Sequence, residues 1–172
     1  VFNENIIQDF ELYSAGFGPS YSNAIGGVFD ITLRDPKHKP FTTKLDISTL
    51  RSGIFFEGEV TEDSAFYLSA RQSMLQYFIR DQDKEDVEKE DGLRVQSAPQ
   101  DSDYQFKYVY DINSENKFTL SANGATDLAE AEFLDSSIDV MESPDMAGDA
   151  KIENKYQNAA LRWQFSDDKG TG

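Results

Sequence analysis

The chain has no cysteine and a single histidine, His38, among its 172 residues. The first absence excludes disulfides, thiolate metal sites and cysteine nucleophiles. The second leaves any histidine triad or zinc site to be built around one residue. That residue stands in Asp35-Pro36-Lys37-His38-Lys39-Pro40, where two prolines block regular pairing and a solvated connector is expected. Basic residues are also scarce, 16 against 32 acidic ones, giving a net charge of -16. Phosphate backbones would be repelled, so no nucleic-acid partner is expected. No run of about 18 apolar residues is present to form a transmembrane helix. No secretion signal is visible, and both ends interrupt a pattern, so the sequence reads as a piece of a longer chain.

What is present is an unusual balance. Hydrophobic residues make up 38 %, low for a buried core, while aromatics reach 13 %. A wall whose strands are apolar on one side only, with aromatics gathered at its borders, has this composition.

Period-two alternation is the main local signal. Phe41, Thr43, Leu45 and Ile47 oppose Thr42, Lys44, Asp46 and Ser48, and Ile54, Phe56 and Val60 oppose Glu57 and Glu59. Phe66, Leu68 and Ala70 oppose Tyr67, Ser69, Arg71 and Ser73. Tyr104, Phe106, Tyr108 and Tyr110 oppose Gln105, Lys107, Val109 and Asp111. Phe118, Leu120 and Ala122 oppose Thr119, Ser121 and Asn123, and Ala159, Leu161, Trp163 and Phe165 oppose Asn158, Arg162 and Gln164. Six strands of roughly ten residues are predicted, about the length that crosses a bilayer at a tilt.

The connections sort by length. Residues 62–63, 113–116 and 167–170 are tight polar turns, whereas 74–102 and 127–150 are long. A short connection at 51–53 falls on the side of the long ones, so tight and long connections lie mostly at opposite strand ends, as in outer-membrane barrels. Phe66, Tyr110, Phe118, Trp163 and Phe165 lie near the tight turns, where an interfacial girdle would sit. Arg71, Lys107, Arg162, Glu57 and Glu59 then project to the lumen. The same alternation would also arise in a soluble β-sandwich with one solvated face, which stays open as the second reading.

Catalytic and metal motifs are not expected. Gly16-Phe17-Gly18 could open a dinucleotide fingerprint, but Tyr21 stands where the third glycine belongs and no βαβ pattern follows. The acidic run 81–91 does not fit a calcium loop, because Asp86 replaces the required glycine.

Residues 1–36 differ from the rest. Two short strands, 9–13 and 28–34, flank a Gly/Ser/Pro-rich loop. The stretch 10–34 reads FELYSAGFGPSYSNAIGGVFDITLR. With Gly18-Pro19, Tyr21, Ala24-Ile25-Gly26-Gly27-Val28, Ile31 and Arg34, it resembles the end of the plug domain in TonB-dependent outer-membrane receptors. Glu57-Gly58 before a turn, followed by 66–73 as FYLSARQS, resembles the early barrel hairpin of that family. The motifs occur in the family's order. The resemblance implies an all-β chain: the C-terminal part of a plug at 1–36, a linker at 37–40, and about six strands of an incomplete transmembrane barrel at 41–172. It implies energy-coupled import of a siderophore, haem, cobalamin or glycan across a bacterial outer membrane. The implied partners are the inner-membrane TonB complex, lipid and lipopolysaccharide, and a small-molecule or glycan ligand. No cofactor, metal or catalytic residue is implied. The ligand pathway is expected at Gly16, Phe17, Gly18, Pro19, Ser20, Tyr21, Ser22 and Asn23, together with Arg71.

Overall fold

The structure is a computed structural model and describes residues 3–14, 27–79, 84, 87–88 and 91–166, the side chain of Met146 excepted. The fold is all-β and antiparallel. A small sheet pairs β1 (Ile7–Tyr13) with β2 (Val28–Leu33). A 3-10 turn, Glu4–Ile6, precedes it, and the Asn3 side chain caps that turn by accepting from the Asn5 amide. The second sheet has six strands, β3 (Thr42–Ile47), β4 (Arg51–Thr61), β5 (Ser64–Ser73), β6 (Leu93–Asn113), β7 (Asn116–Phe133) and β8 (Gly148–Phe165), in sequential order. One short helix, α1 (Ile138–Glu142), lies between β7 and β8.

Tight turns share one end of the large sheet. The Asp111 amide donates to Asp63 O at 2.8 Å, and the Ser166 amide donates to Glu115 O at 2.8 Å. Residues 62–63, 114–115 and 166 are thereby brought to one edge; 167–170 lie outside the described residues. The opposite end carries the two long connections and the β3–β4 turn, which lies at 48–50 and not at the expected 51–53, because residues 51–53 pair with Ser73, Gln72 and Arg71 as the start of β4. There the Met74 amide donates to Leu50 O, and the Leu134 amide to Gly92 O, each at 2.9 Å.

Three strands are longer than the roughly ten residues expected. β6 has 21 residues, and β7 and β8 have 18 each. The stretches 93–102, 127–133 and 148–157, read from the sequence as loop or strand margin, continue the ladder. The physical reason is a change of phase. On β7 the apolar side chains are Phe118, Leu120, Ala122 and Leu128 at even positions, then Ala129, Ala131 and Phe133 at odd ones, with Ala125 also odd. Side chains alternate with a period of two, so even and odd positions face opposite ways. The single-phase pattern therefore ends just past Thr126, with Leu128 its last apolar member, although the strand continues to Phe133. On β6, Pro99 adds a further break, and the pairing register shifts between Ser97 and Gln100. A residue without an N–H is tolerated at such a bulge.

Register fixes the faces. Phe56, Leu68, Phe106 and Ala122 lie across one row, and Tyr108, Leu120 and Leu161 across the next. The other face carries Glu57, Tyr67, Lys107 and Ser121 in one row. Burial is inverted relative to this pattern. On the polar face Glu57, Ser69 and Gln105 are 1 %, 0 % and 2 % exposed, while on the apolar face Leu45, Leu161 and Trp163 are 68 %, 68 % and 71 % exposed. The small sheet packs on the polar face, and the only compact apolar cluster among the described residues is Ile6, Phe55 and Tyr67 with Leu33 against it.

Candidate functional site

The polar face and the segment that crosses it form the candidate site. Its centre is the exit from β2. The Arg34 amide donates to Ile6 O, which closes the small sheet over its own 3-10 turn. The Arg34 guanidinium is then anchored on several sides. Its Nε donates to Asn5 O at 2.6 Å, its Nη1 pairs with the Glu57 carboxylate, and its Cζ lies 5.7 Å from the centre of the Tyr67 ring. Glu57 collects two more donors, Lys39 Nζ at 2.7 Å and the Lys37 amide at 3.1 Å. A fully enclosed carboxylate with several charge-assisted donors is a strong fixed point.

Asp35 is a second one. Lys107 Nζ lies 2.8 Å from its carboxylate, and Lys117 pairs with the same group. Lys107 Nζ also reaches Leu33 O at 3.4 Å and Arg34 O at 3.3 Å. Partial burial opposes the Asp35 charge, but the two lysines outweigh it and hold the carboxyl below its ordinary range. Two lighter contacts complete the attachment. Asn3 Nδ2 donates to Ser69 Oγ at 2.8 Å, and Lys44 Nζ donates to Asn5 Oδ1 at 2.5 Å. The small sheet is thus attached chiefly through charge-assisted hydrogen bonds, with little apolar burial.

Arg71, an expected ligand-pathway residue, stands on this same face. Its guanidinium grips Asp103 with Nε to Oδ1 at 3.0 Å and Nη2 to Oδ1 and Oδ2 at 2.9 and 3.0 Å. Gln105 Nε2 donates to the same carboxylate at 2.7 Å. Arg71 lines a cavity of about 290 Å³ between the 3-10 turn and β3–β5, together with Asn5, Lys44, Asp46 and Arg51. Gly16, Phe17, Gly18, Pro19, Ser20, Tyr21, Ser22 and Asn23 lie outside the described residues. Arg162 faces a second cavity of about 170 Å³, which Asp35, Lys107 and Asn123 also line.

Sequence reasoning placed Glu57, Lys107 and Arg71 on one face but did not find their partners. Asp35 and Lys39 were read only as connector. Their charges were visible, yet the groups they meet are up to 82 residues away in the chain, and local pattern carries no such information. Among the described residues no cluster of three or more acidic or histidine side chains could hold a metal ion. The arrangement clamps and orients the segment 34–39 on the polar face through ion pairs. Compared with family models, curated proteins and solved structures, the chain finds no match.

Proposed function

We propose that this chain is the end of a plug, residues 1–36, its linker, and the first six strands of the barrel of a TonB-dependent outer-membrane receptor. The whole receptor would import a scarce ligand, of the siderophore, haem, cobalamin or glycan class, with energy passed on by the inner-membrane TonB complex.

The observation that carries this reading is the inverted burial of the large sheet. Water would drive Leu45, Leu161 and Trp163 inward and leave Glu57, Ser69 and Gln105 outside. Hydrocarbon around the sheet and a plug within it require the reverse. The dimensions agree. The apolar rows run from Phe165 to the row of Tyr104 and Gln157, about eight residue steps. At about 3.4 Å per step and a tilt of about 40° the band is roughly 20 Å tall, near the ~25 Å of known barrels. Short turns at one end and long connections at the other suit a periplasmic and an outer side. The plug-like motif, followed by the hairpin motif, gives the order of the family.

A β-sandwich would bury Tyr104 and Tyr110 against a second sheet. They are 37 % and 39 % exposed, and nothing among the described residues covers them.

The test compares adjacent positions on β7 in the full-length receptor. Leu120→Arg places a charge in hydrocarbon, at a cost of about 2–4 kcal/mol near the midplane. Ser121→Arg places it in the lumen. The expected result is a sharp loss of folded, heat-modifiable barrel in the outer membrane for the first and near-normal assembly for the second. Equal tolerance at both positions would refute the reading.

A further inference from the structure

Beyond Ser73, where β5 ends, β6, β7 and β8 continue as a three-stranded extension. Above Leu128, which still lies on the side continuous with the apolar face, its two faces are reversed relative to the sheet below. Arg94, Glu130, Glu132, Lys151 and Glu153 occupy the side continuous with the apolar face. They are joined by ion pairs, Arg94 to Glu132 at 2.7 Å, and Lys151 to Glu130 and Glu153 at 3.0 Å each. Leu93, Val95, Ala129, Ala131, Phe133 and Ile152 occupy the side continuous with the polar face. Ile152 is 63 % exposed, and the other five are half-buried.

At the lower border of this apolar patch stands Asp127. It is exposed, it lies next to Ala129 on the same strand face, and no ion pair holds it among the described residues. A cavity of about 170 Å³ is lined by Asp127, Asp101, Pro99, Ala129 and Ile152. Asp101 is already paired with Arg51, so Asp127 supplies the uncompensated charge. The wider field has the same sign. The described residues of 74–102 and 127–157 include 12 acidic and 4 basic ones, and so carry half of the net charge of -16. A surface of this sign draws cations toward it and repels anions.

We infer that the inner face of this extension is a capture site for a cationic amphiphile, a solute with an aromatic or aliphatic body and an ammonium group. The body covers Ala129, Ile152 and the apolar residues above them, which removes exposed apolar area from water. The ammonium group neutralises Asp127. Anionic ligands are opposed by the field. The inference names a ligand class for the importer and rests on the reading that the long-loop end faces the outside medium.

The test uses the full-length receptor in whole cells and then in proteoliposomes. An Ala129→Cys variant is first treated on intact cells with a membrane-impermeant maleimide; labelling is expected. Failure to label would overturn the outward placement and the inference with it. Binding is then measured with dansylcadaverine as the probe and dansyl-aminohexanoate as its carboxylate counterpart. The cation should bind and the carboxylate should not. Asp127→Asn and Ile152→Ser should each weaken the cation by about tenfold or more. Glu130→Gln, on the opposite face, should leave binding unchanged and reports on folding. External labelling with equal binding of both probes, or with full affinity in Asp127→Asn, would overturn the capture site alone.

Discussion

Glu57 shows how single residues hold the two sheets together. Arg34, Lys39 and the Lys37 amide converge on a carboxylate that is almost wholly enclosed. Removing one partner of a buried pair leaves the others charged and desolvated, which costs about 3–5 kcal/mol. Glu57→Ala should therefore loosen the small sheet far more than a surface substitution would. Hydrogen exchange at the amides of Ile7–Tyr13 should accelerate, while exchange in β6 and β7 stays slow. Uniform acceleration across both sheets would argue against a local clamp. Asp35 adds a pH dependence of defined sign. Its carboxyl lies below the ordinary value of 3.8 because Lys107 and Lys117 outweigh its partial burial. A depressed carboxyl contributes attachment that is complete above its unfolded value and is lost as pH falls through the lower folded one. Attachment of the connector should accordingly be constant above about pH 5 and weaken below the ordinary carboxyl range. In Asp35→Asn the attachment is weaker at neutral pH and that part of the acid dependence disappears. An unchanged acid profile in the variant would contradict the assignment.

Among the elements, β7 shows most clearly what could be read from the sequence. Lys117 to Thr126 alternates in one phase, and the strand, its neighbours and its apolar side follow from that alternation. The continuation through Ala129, Ala131 and Phe133 alternates equally well, but in the opposite phase. An alternation rule that assumes one environment along a strand stops where the environment changes. The same limit applies to β1 and β2, whose existence was legible while their attachment through Arg34 and Asp35 was not. Contacts between the outer connections were also hidden, because they depend on backbone geometry. Gly92 has φ +64°, and a Cβ there would meet the Ser137 amide nitrogen at 2.4 Å. Glycine alone reaches this conformation without strain. Gly92→Ala should cost at least about 1–2 kcal/mol locally, and the Ser137 clash adds to it. The consequence should be faster exchange of the Leu134 amide, which donates to Gly92 O, with β3–β5 unaffected. Protection of that amide at the original level would show that the two connections do not depend on one another.

For the molecule as a whole, the large sheet has two open edges among the described residues: β3 pairs there only with β4, and β8 only with β7. In hydrocarbon each backbone group left without a partner costs several kcal/mol, so the proposed reading calls for further strands to close the sheet. Closure, the inverted burial and the phase change at Thr126 are aspects of one claim. That claim, part of the proposed function, is that the sheet faces lipid outward up to that row and water on both sides beyond it. The most direct measurement places single nitroxide labels along β7, from residue 118 to 133, in the full-length protein reconstituted in a bilayer. Collision with oxygen, which concentrates in hydrocarbon, is compared with collision with a water-soluble nickel chelate. At 118, 120 and 122 oxygen should dominate, while 119, 121 and 123 should show low oxygen contact. From 128 to 133 the nickel chelate should reach both sides, with the outward positions 130 and 132 the more accessible. Access of nickel to 118, 120 and 122, with oxygen favoured nowhere along the strand, would contradict a membrane-spanning sheet and leave a soluble fold in its place.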